Sequence, residues 1–104
     1  MSSRNAYTAI ADPTRREILD LLRDRGVLNA GEIAARFPAQ SRPGISRHLR
    51  VLRECGLVTA RRRGKCQNYI LDPGPLAAVR DGWLASFGKM QSRSLRALRR
   101  KVES

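Results

Sequence analysis

The feature that most constrains this chain is the order of its start and stop signals between residues 29 and 71. Asn29-Ala30-Gly31-Glu32 has the form of a capping box, an Asn cap followed three residues later by Glu. Ile33 and Phe37 then lie four apart on one helical face, with Ala34 beside Ile33, and Pro38 stops the helix. Ser41-Arg42-Pro43 opens a second helix, with Ser41 as cap and Pro43 in the first turn. Ile45, Leu49 and Leu52 recur at spacings of four and three, so they face inward, and Gly56 ends the helix as a left-handed cap. Two β-prone runs follow, Leu57 to Arg62 and Cys66 to Leu71, flanking Arg63-Gly64-Lys65, which is a hairpin signal. Two helices across a short turn, followed by a hairpin, predict a helix-turn-helix with a β wing.

The flanks complete the pattern. Asp12 caps and Pro13 opens a helix whose apolar stripe is Ile18, Leu19, Leu21 and Leu22, and Gly26 ends it. A shorter helix from about Arg4 to Ile10 is expected to place Tyr7 and Ile10 on the core. After the break Asp72-Pro73-Gly74-Pro75, the residues Leu76, Val79, Trp83, Phe87, Met90, Leu95, Leu98 and Val102 repeat mostly every three or four. That spacing predicts one long amphipathic helix over about 75–101. Gly82 and Gly88 either weaken this helix or admit close helix contact, and the sequence leaves both open.

The expected fold is therefore mainly α with a small β-hairpin wing (α+β), a single winged helix-turn-helix domain over 1–104. The helix-turn-helix falls at about 29–55 and the wing at about 57–71. No run approaches the roughly 18 apolar residues of a membrane span. Met-Ser-Ser-Arg-Asn-Ala-Tyr carries no apolar segment that would mark secretion, so a cytoplasmic protein without membrane partners is expected.

Charge supplies the functional signal. The 21 Lys and Arg outweigh the 9 Asp and Glu, a formal net charge of +12, and all but a few of the basic residues are Arg. The excess is concentrated: eight basic residues and one acidic between Arg42 and Lys65, then six and one between Lys89 and Glu103. A basic excess held in segments is the footprint of a polyanion binder, and Arg suits both phosphate and guanine. On the second helix Arg42, Ser46, Arg47, Arg50 and Arg53 lie off the apolar face, so that face can enter a major groove. Arg61-Arg62-Arg63-Gly64-Lys65 puts four positive charges in five residues at the hairpin tip, within reach of phosphates or a minor groove. An Arg-rich helix face taken alone is more often a solvated face; the order helix, turn, helix, basic hairpin, long helix is what points to double-stranded DNA.

At this point the residues resemble a family. Asp12-Pro13-Thr14-Arg15-Arg16-Glu17-Ile18-Leu19 is similar to the corresponding stretch of the ArsR family of bacterial winged-helix repressors. So is the stretch Ser41-Arg42-Pro43-Gly44-Ile45-Ser46-Arg47-His48-Leu49-Arg50-Val51-Leu52-Arg53-Glu54-Cys55-Gly56-Leu57-Val58, and the hairpin ending in Tyr69-Ile70-Leu71 matches too. The resemblance covers about residues 6 to 85. It implies a homodimeric repressor on a pseudo-palindromic operator, paired through its first and last helices. Tyr7, Ile10, Trp83, Phe87, Met90 and Leu95 would form that interface. Ser41, Arg42, Gly44, Ser46, Arg47, His48 and Arg50, with Arg61, Arg62, Arg63 and Lys65 of the wing, would meet DNA.

Many members of that family sense metals through Cys pairs on the helix before the recognition helix, or through His and acidic residues on the last helix. Here the first segment, Gly31 to Phe37, has neither Cys nor His, and the last helix has Asp81 and Glu103 but no His. Zinc takes about four Cys, His or carboxylate ligands, and Cys55, Cys66 and His48 are the only Cys and His of the chain. Cys55 at the helix end and Cys66 near the hairpin tip are too far apart to bridge or share an ion. Cys55 is expected as a small buried hydrophobe and Cys66 as an exposed wing thiol. The resemblance is thus to the metal-independent branch, with no cofactor and no effector indicated. His48 is expected to help set the helix or touch the DNA backbone, and it has no nucleophile motif around it.

Three other classes compete. A protein-interaction module would use the long last helix through Trp83, Phe87 and Met90, but it would not need a basic wing. A single-strand RNA binder would expose aromatic stacking platforms, whereas most of the few aromatics here sit at core-facing positions. An enzyme would show paired carboxylates, a phosphate loop or a nucleophile motif, and none is present.

Overall fold

The computed structural model describes residues 5–103, with side chains described for 5–88 and for Leu98. The chain opens with α1 (Ala6–Ile10), capped by Asn5, and α2 (Pro13–Arg25). Asp12 caps α2 by accepting from the Arg15 amide at 3.1 Å, and Pro13 occupies the first turn, where no backbone donor is missed. The chain leaves α2 at Gly26, whose φ of +85° is costly for any residue with a Cβ.

A short strand, β1 (Val27–Asn29), leads into α3 (Ala30–Ala35). The capping box is complete: the Glu32 amide donates to Asn29 Oδ1 at 2.8 Å, and the Asn29 amide donates to Glu32 Oε1 at 3.1 Å. This helix closes at Ala35, two residues short of the expected Phe37. The amides of Arg36 and Phe37 bond carbonyls three residues back, which tightens the last turn, and Pro38 disfavours helical geometry just before it. Phe37 nevertheless packs against the core from outside the helix.

Helix α4 (Arg42–Glu54) runs from the Ser41 cap to a terminus in which the Leu57 amide bonds the Leu52 carbonyl and the Gly56 amide bonds that of Arg53. That reciprocal pattern needs a left-handed residue after the cap, and Gly56 supplies it with φ +77°. The wing is β2 (Val58–Arg63) and β3 (Cys66–Leu71), antiparallel, with Arg63 opposite Cys66 and Val58 opposite Leu71. Strand β3 is central in a three-stranded sheet of order β1-β3-β2. The sequence did not announce β1, because three residues after a helix-ending Gly, the last of them the Asn29 cap itself, are too few to display alternation.

The core forms where α2, α3 and α4 meet the base of the sheet. Ile18, Leu22, Ile33, Ile45, Leu49, Leu52 and Leu57 are its fully buried large side chains, with Leu19, Val58 and Tyr69 beside them. Burial of this kind is the main favourable term holding the fold. One expectation fails at α1. Tyr7 stays 52% exposed, and Ala6 and Ala9 form the buried face instead, because small side chains let so short a helix lie close on α2. Ile10 is only partly buried and packs at the edge of the core.

The last helix, α5 (Gly74–Glu103), spans about 45 Å at 1.5 Å per residue. Leu76 and Val79 pack against the core, but every described side chain from Arg80 to Gly88 is exposed. The molecule is accordingly 70 Å in its longest dimension and 29 Å in the next. The side chains of Met90 and Leu95 lie outside the described residues. No helix among the described residues is long and apolar enough to cross a membrane.

Candidate nucleic-acid interface

Helix α4 carries the core on one side and cations on the other. At about 100° per residue, Arg47 points opposite the buried Ile45, Leu49 and Leu52. Arg50 and Ser46 lie on one flank of Arg47 and His48 and Val51 on the other. Arg42, Ser46, Arg47, Arg50 and Arg53 are all exposed, whereas His48 is half-buried. Arg23 pairs with Asp20 and Asp24, and Arg80 with Asp81, away from this face.

The N-terminus of α4 is built to close tolerance. Ser41 Oγ accepts from the Gly44 amide at 3.0 Å, so its oxygen lone pairs serve the helix while its O–H stays available. A Cβ on Gly44 would meet that same Oγ at 3.0 Å, which gives the glycine a local steric role. Gln40 Nε2 donates to Thr14 Oγ1 at 3.1 Å, tying the turn before α4 to the start of α2.

The wing lies alongside. Arg61, Arg62, Arg63 and Lys65 are exposed, and Gly64 makes the turn with φ +64°. Arg62 Nε reaches the Gly64 carbonyl at 3.3 Å and braces the tip. Arg42 from α4 and Lys65 from the wing line one cavity of about 260 Å³, together with Asn29, Gly31, Cys66 and Gln67. The start of α4 and the tip of the wing therefore lie side by side, with a cation of each at one cavity. Cys66 is exposed there and Cys55 is buried, and no disulfide joins them.

On the opposite flank, Arg15 acts as a clamp that no local signal in the chain marks out. Its Nε donates to the Ala9 carbonyl at 2.9 Å, one Nη donates to the Thr8 carbonyl at 3.0 Å, and the other lies 3.5 Å from His48 Nδ1. Burial pushes the Asp12 carboxyl up, but the Arg15 amide it accepts, the charges of His48 and Arg15, and the Thr14 amide outweigh this and hold it below the usual carboxylate range. Among the described residues no three or more His, Cys, Asp or Glu side chains come together in a way that could hold a metal ion.

Of the expected interface residues on α1 and α5, Tyr7, Trp83 and Phe87 are exposed. Trp83 and Phe87 meet edge to face at 5.4 Å between ring centroids, in water on this single chain.

A helix-turn-helix with an arginine-faced second helix and a basic β wing beside it defines a winged helix-turn-helix, the architecture of DNA-binding transcription regulators. Comparison with known proteins agrees. The profile of a helix-turn-helix domain family matches residues 10–61. The chain is 46% identical over 79 residues to the HTH-type transcriptional regulator Rv2034 of Mycobacterium tuberculosis, covering 76% of this chain and 72% of that one. It is 44% identical over 68 residues to the transcriptional repressor SdpR of Bacillus subtilis, covering 65% and 73%. Among solved structures, an ArsR-like transcriptional regulator from Rhodococcus superposes with a TM-score of 0.78 at 34% identity, over 94% of this chain and 87% of that one. The chain belongs to the ArsR family of transcriptional regulators.

Proposed function

We propose that the protein is a cytoplasmic, sequence-specific repressor that binds a pseudo-palindromic operator as a homodimer and needs no metal to do so. The whole of 1–104 acts as one DNA-binding unit on this reading. Each copy lays α4 in the major groove, where Arg47, Arg50 and Ser46 meet base edges. Ser41, Arg42, Gly44 and His48 lie against the backbone, and Arg61, Arg62, Arg63 and Lys65 hold the flanking phosphates. Occupancy of the promoter then excludes the polymerase.

The observation that carries this reading is the basic wing tip set beside the start of the arginine-bearing α4, with Arg42 and Lys65 lining the same cavity. The homodimer is supported by α5, which leaves Trp83 and Phe87 in water, as α1 leaves Tyr7. Apolar groups in that arrangement need a second surface. A copy of the same helix pair, related by two-fold symmetry, supplies one.

A footprint on the gene's own promoter tests the proposal. Two protected half-sites about one helical turn apart, roughly 34–36 Å, are expected, with two chains bound per operator. Absence of any protected site, with Trp83 and Phe87 accessible to quenchers in a monomer, would favour a protein-interaction module instead.

A further inference from the structure

Helix α1 is five residues long, far short of the roughly 12–15 that an isolated helix needs in water, so its order comes from outside itself. Its last carbonyls are taken by two arginines of α2. Arg15 Nε donates to the Ala9 carbonyl at 2.9 Å and Arg15 Nη2 to that of Thr8 at 3.0 Å. Arg16 Nη1 donates to the Ile10 carbonyl at 2.7 Å. Carbonyls in the last turn of a helix lack partners within it, so these side chains do the work of a C-terminal cap.

Arg15 also reaches α4. Its Nη1 lies 3.5 Å from His48 Nδ1, and both residues line a cleft of about 250 Å³ between α2 and α4. A guanidinium is a rigid plane, so its nitrogens cannot move independently. The seating of α1 therefore sets where Nη1 meets the His48 ring. The neighbouring Thr14 accepts from Gln40 Nε2 at 3.1 Å, in the turn before α4. The start of α2 thus holds α4 at two points, before its first turn and at mid-helix. Asp12 fixes that start in turn by capping it at 3.1 Å.

From this arrangement we infer that Arg15 is a positioning residue that transmits the seating of α1 to α4. It holds His48, and with it the orientation of the helix, while α1 is docked. Its consequence for operator reading rests on the DNA-binding function proposed above; the link between the helices does not. Since α1 also carries Tyr7 of the face assigned to a second copy, assembly and reading meet at this one side chain.

The link is tested first without DNA. Asn5 caps α1 by accepting from the Thr8 amide at 3.0 Å, so Asn5→Ala loosens α1 from its far end. In otherwise wild-type protein this change shifts the His48 imidazole resonances and speeds amide exchange in α4. In an Arg15→Lys background it does neither, because one ammonium can bond the α1 carbonyls but cannot span them and the ring together. The same response in both backgrounds, or none in either, overturns the proposal. Coupling is reciprocal, so His48→Ala, with Arg15 intact, also speeds amide exchange in α1. Unchanged exchange there overturns the proposal even if Arg15→Lys does not fold.

The consequence is tested on duplexes. Arg15→Lys lowers operator affinity about tenfold, with affinity for a scrambled duplex and the salt slope unchanged. Added to His48→Ala it costs nothing further, because it acts through that ring. Losses that sum, or an equal loss on both duplexes, make Arg15 an independent DNA contact and overturn its positioning role. A wild type without operator preference contradicts the DNA-binding reading instead, and the resonance and exchange measurements then decide the link.

Discussion

Two amphipathic helices of this chain end up in opposite environments. On α4 the apolar stripe is complete within one copy: Ile45, Leu49 and Leu52 are at most 1% exposed. On α5 the apolar residues beyond Val79 face water, with Trp83 56%, Leu84 58% and Phe87 48% exposed. Both stripes have helical spacing, and spacing alone does not say who covers them. The difference is that α4 lies across α2, α3 and the sheet, whereas α5 leaves the body after its first turns. One stripe stabilises the chain; the other waits for a surface. On the function proposed above, this separation would let a protein of 104 residues combine a reading head with a face for assembly.

The largest expected effect breaks the first half of that contrast. Leu52→Ala should lower the stability of the chain by about 2–5 kcal/mol, read from urea unfolding at fixed protein concentration. Trp83→Ala should act differently, weakening self-association by about 2 kcal/mol, read as a roughly thirtyfold rise in the dissociation constant by sedimentation. If Trp83→Ala instead destabilised a monomer at every concentration, the two stripes would not differ in kind.

Arg47→Ala keeps the buried side of α4 and removes its outermost group. Operator affinity should fall by about 1–3 kcal/mol with relaxed specificity and no change in the unfolding midpoint. An equal loss on operator and on unrelated duplex would assign Arg47 to phosphate. Asp12→Ala removes the α2 cap and should cost about 1 kcal/mol of stability. The Asp12 carboxyl is held below its ordinary range, so its contribution is present above the unfolded carboxylate range and lost as pH falls through the lower folded value. Acid titration of stability in wild type and Asp12→Ala should therefore converge at low pH and separate toward neutrality. The smallest effect is expected in the wing, where Arg63→Gln should reduce the slope of log affinity against log salt by about one.

Much of this contrast was readable before any coordinates. The α4 segment was legible residue by residue because its signals are local: the Ser41 cap, the four-three spacing of Ile45, Leu49 and Leu52, and Gly56. The same holds for Asp12-Pro13, the capping box of Asn29 and Glu32, and the Gly64 turn. What was not legible depends on distant contacts or on short lengths. Strand β1 is three residues long and exists because β3 offers it an edge. Tyr7 reads as a core residue by composition, but α1 has room on its buried side only for Ala6 and Ala9. Arg15 looks like any solvated helix arginine until the fold brings the carbonyls of α1 and the ring of His48 to it.

The central claim is that the basic face of α4 and the wing read sequence, and do not merely attract DNA. Affinity for the gene's own promoter and for a scrambled duplex of equal length, measured across a salt series, tests it most directly. Promoter binding at least about a thousandfold tighter at physiological salt is the result predicted here. Equal affinities that fall together with rising salt would contradict it and leave a basic protein that coats DNA.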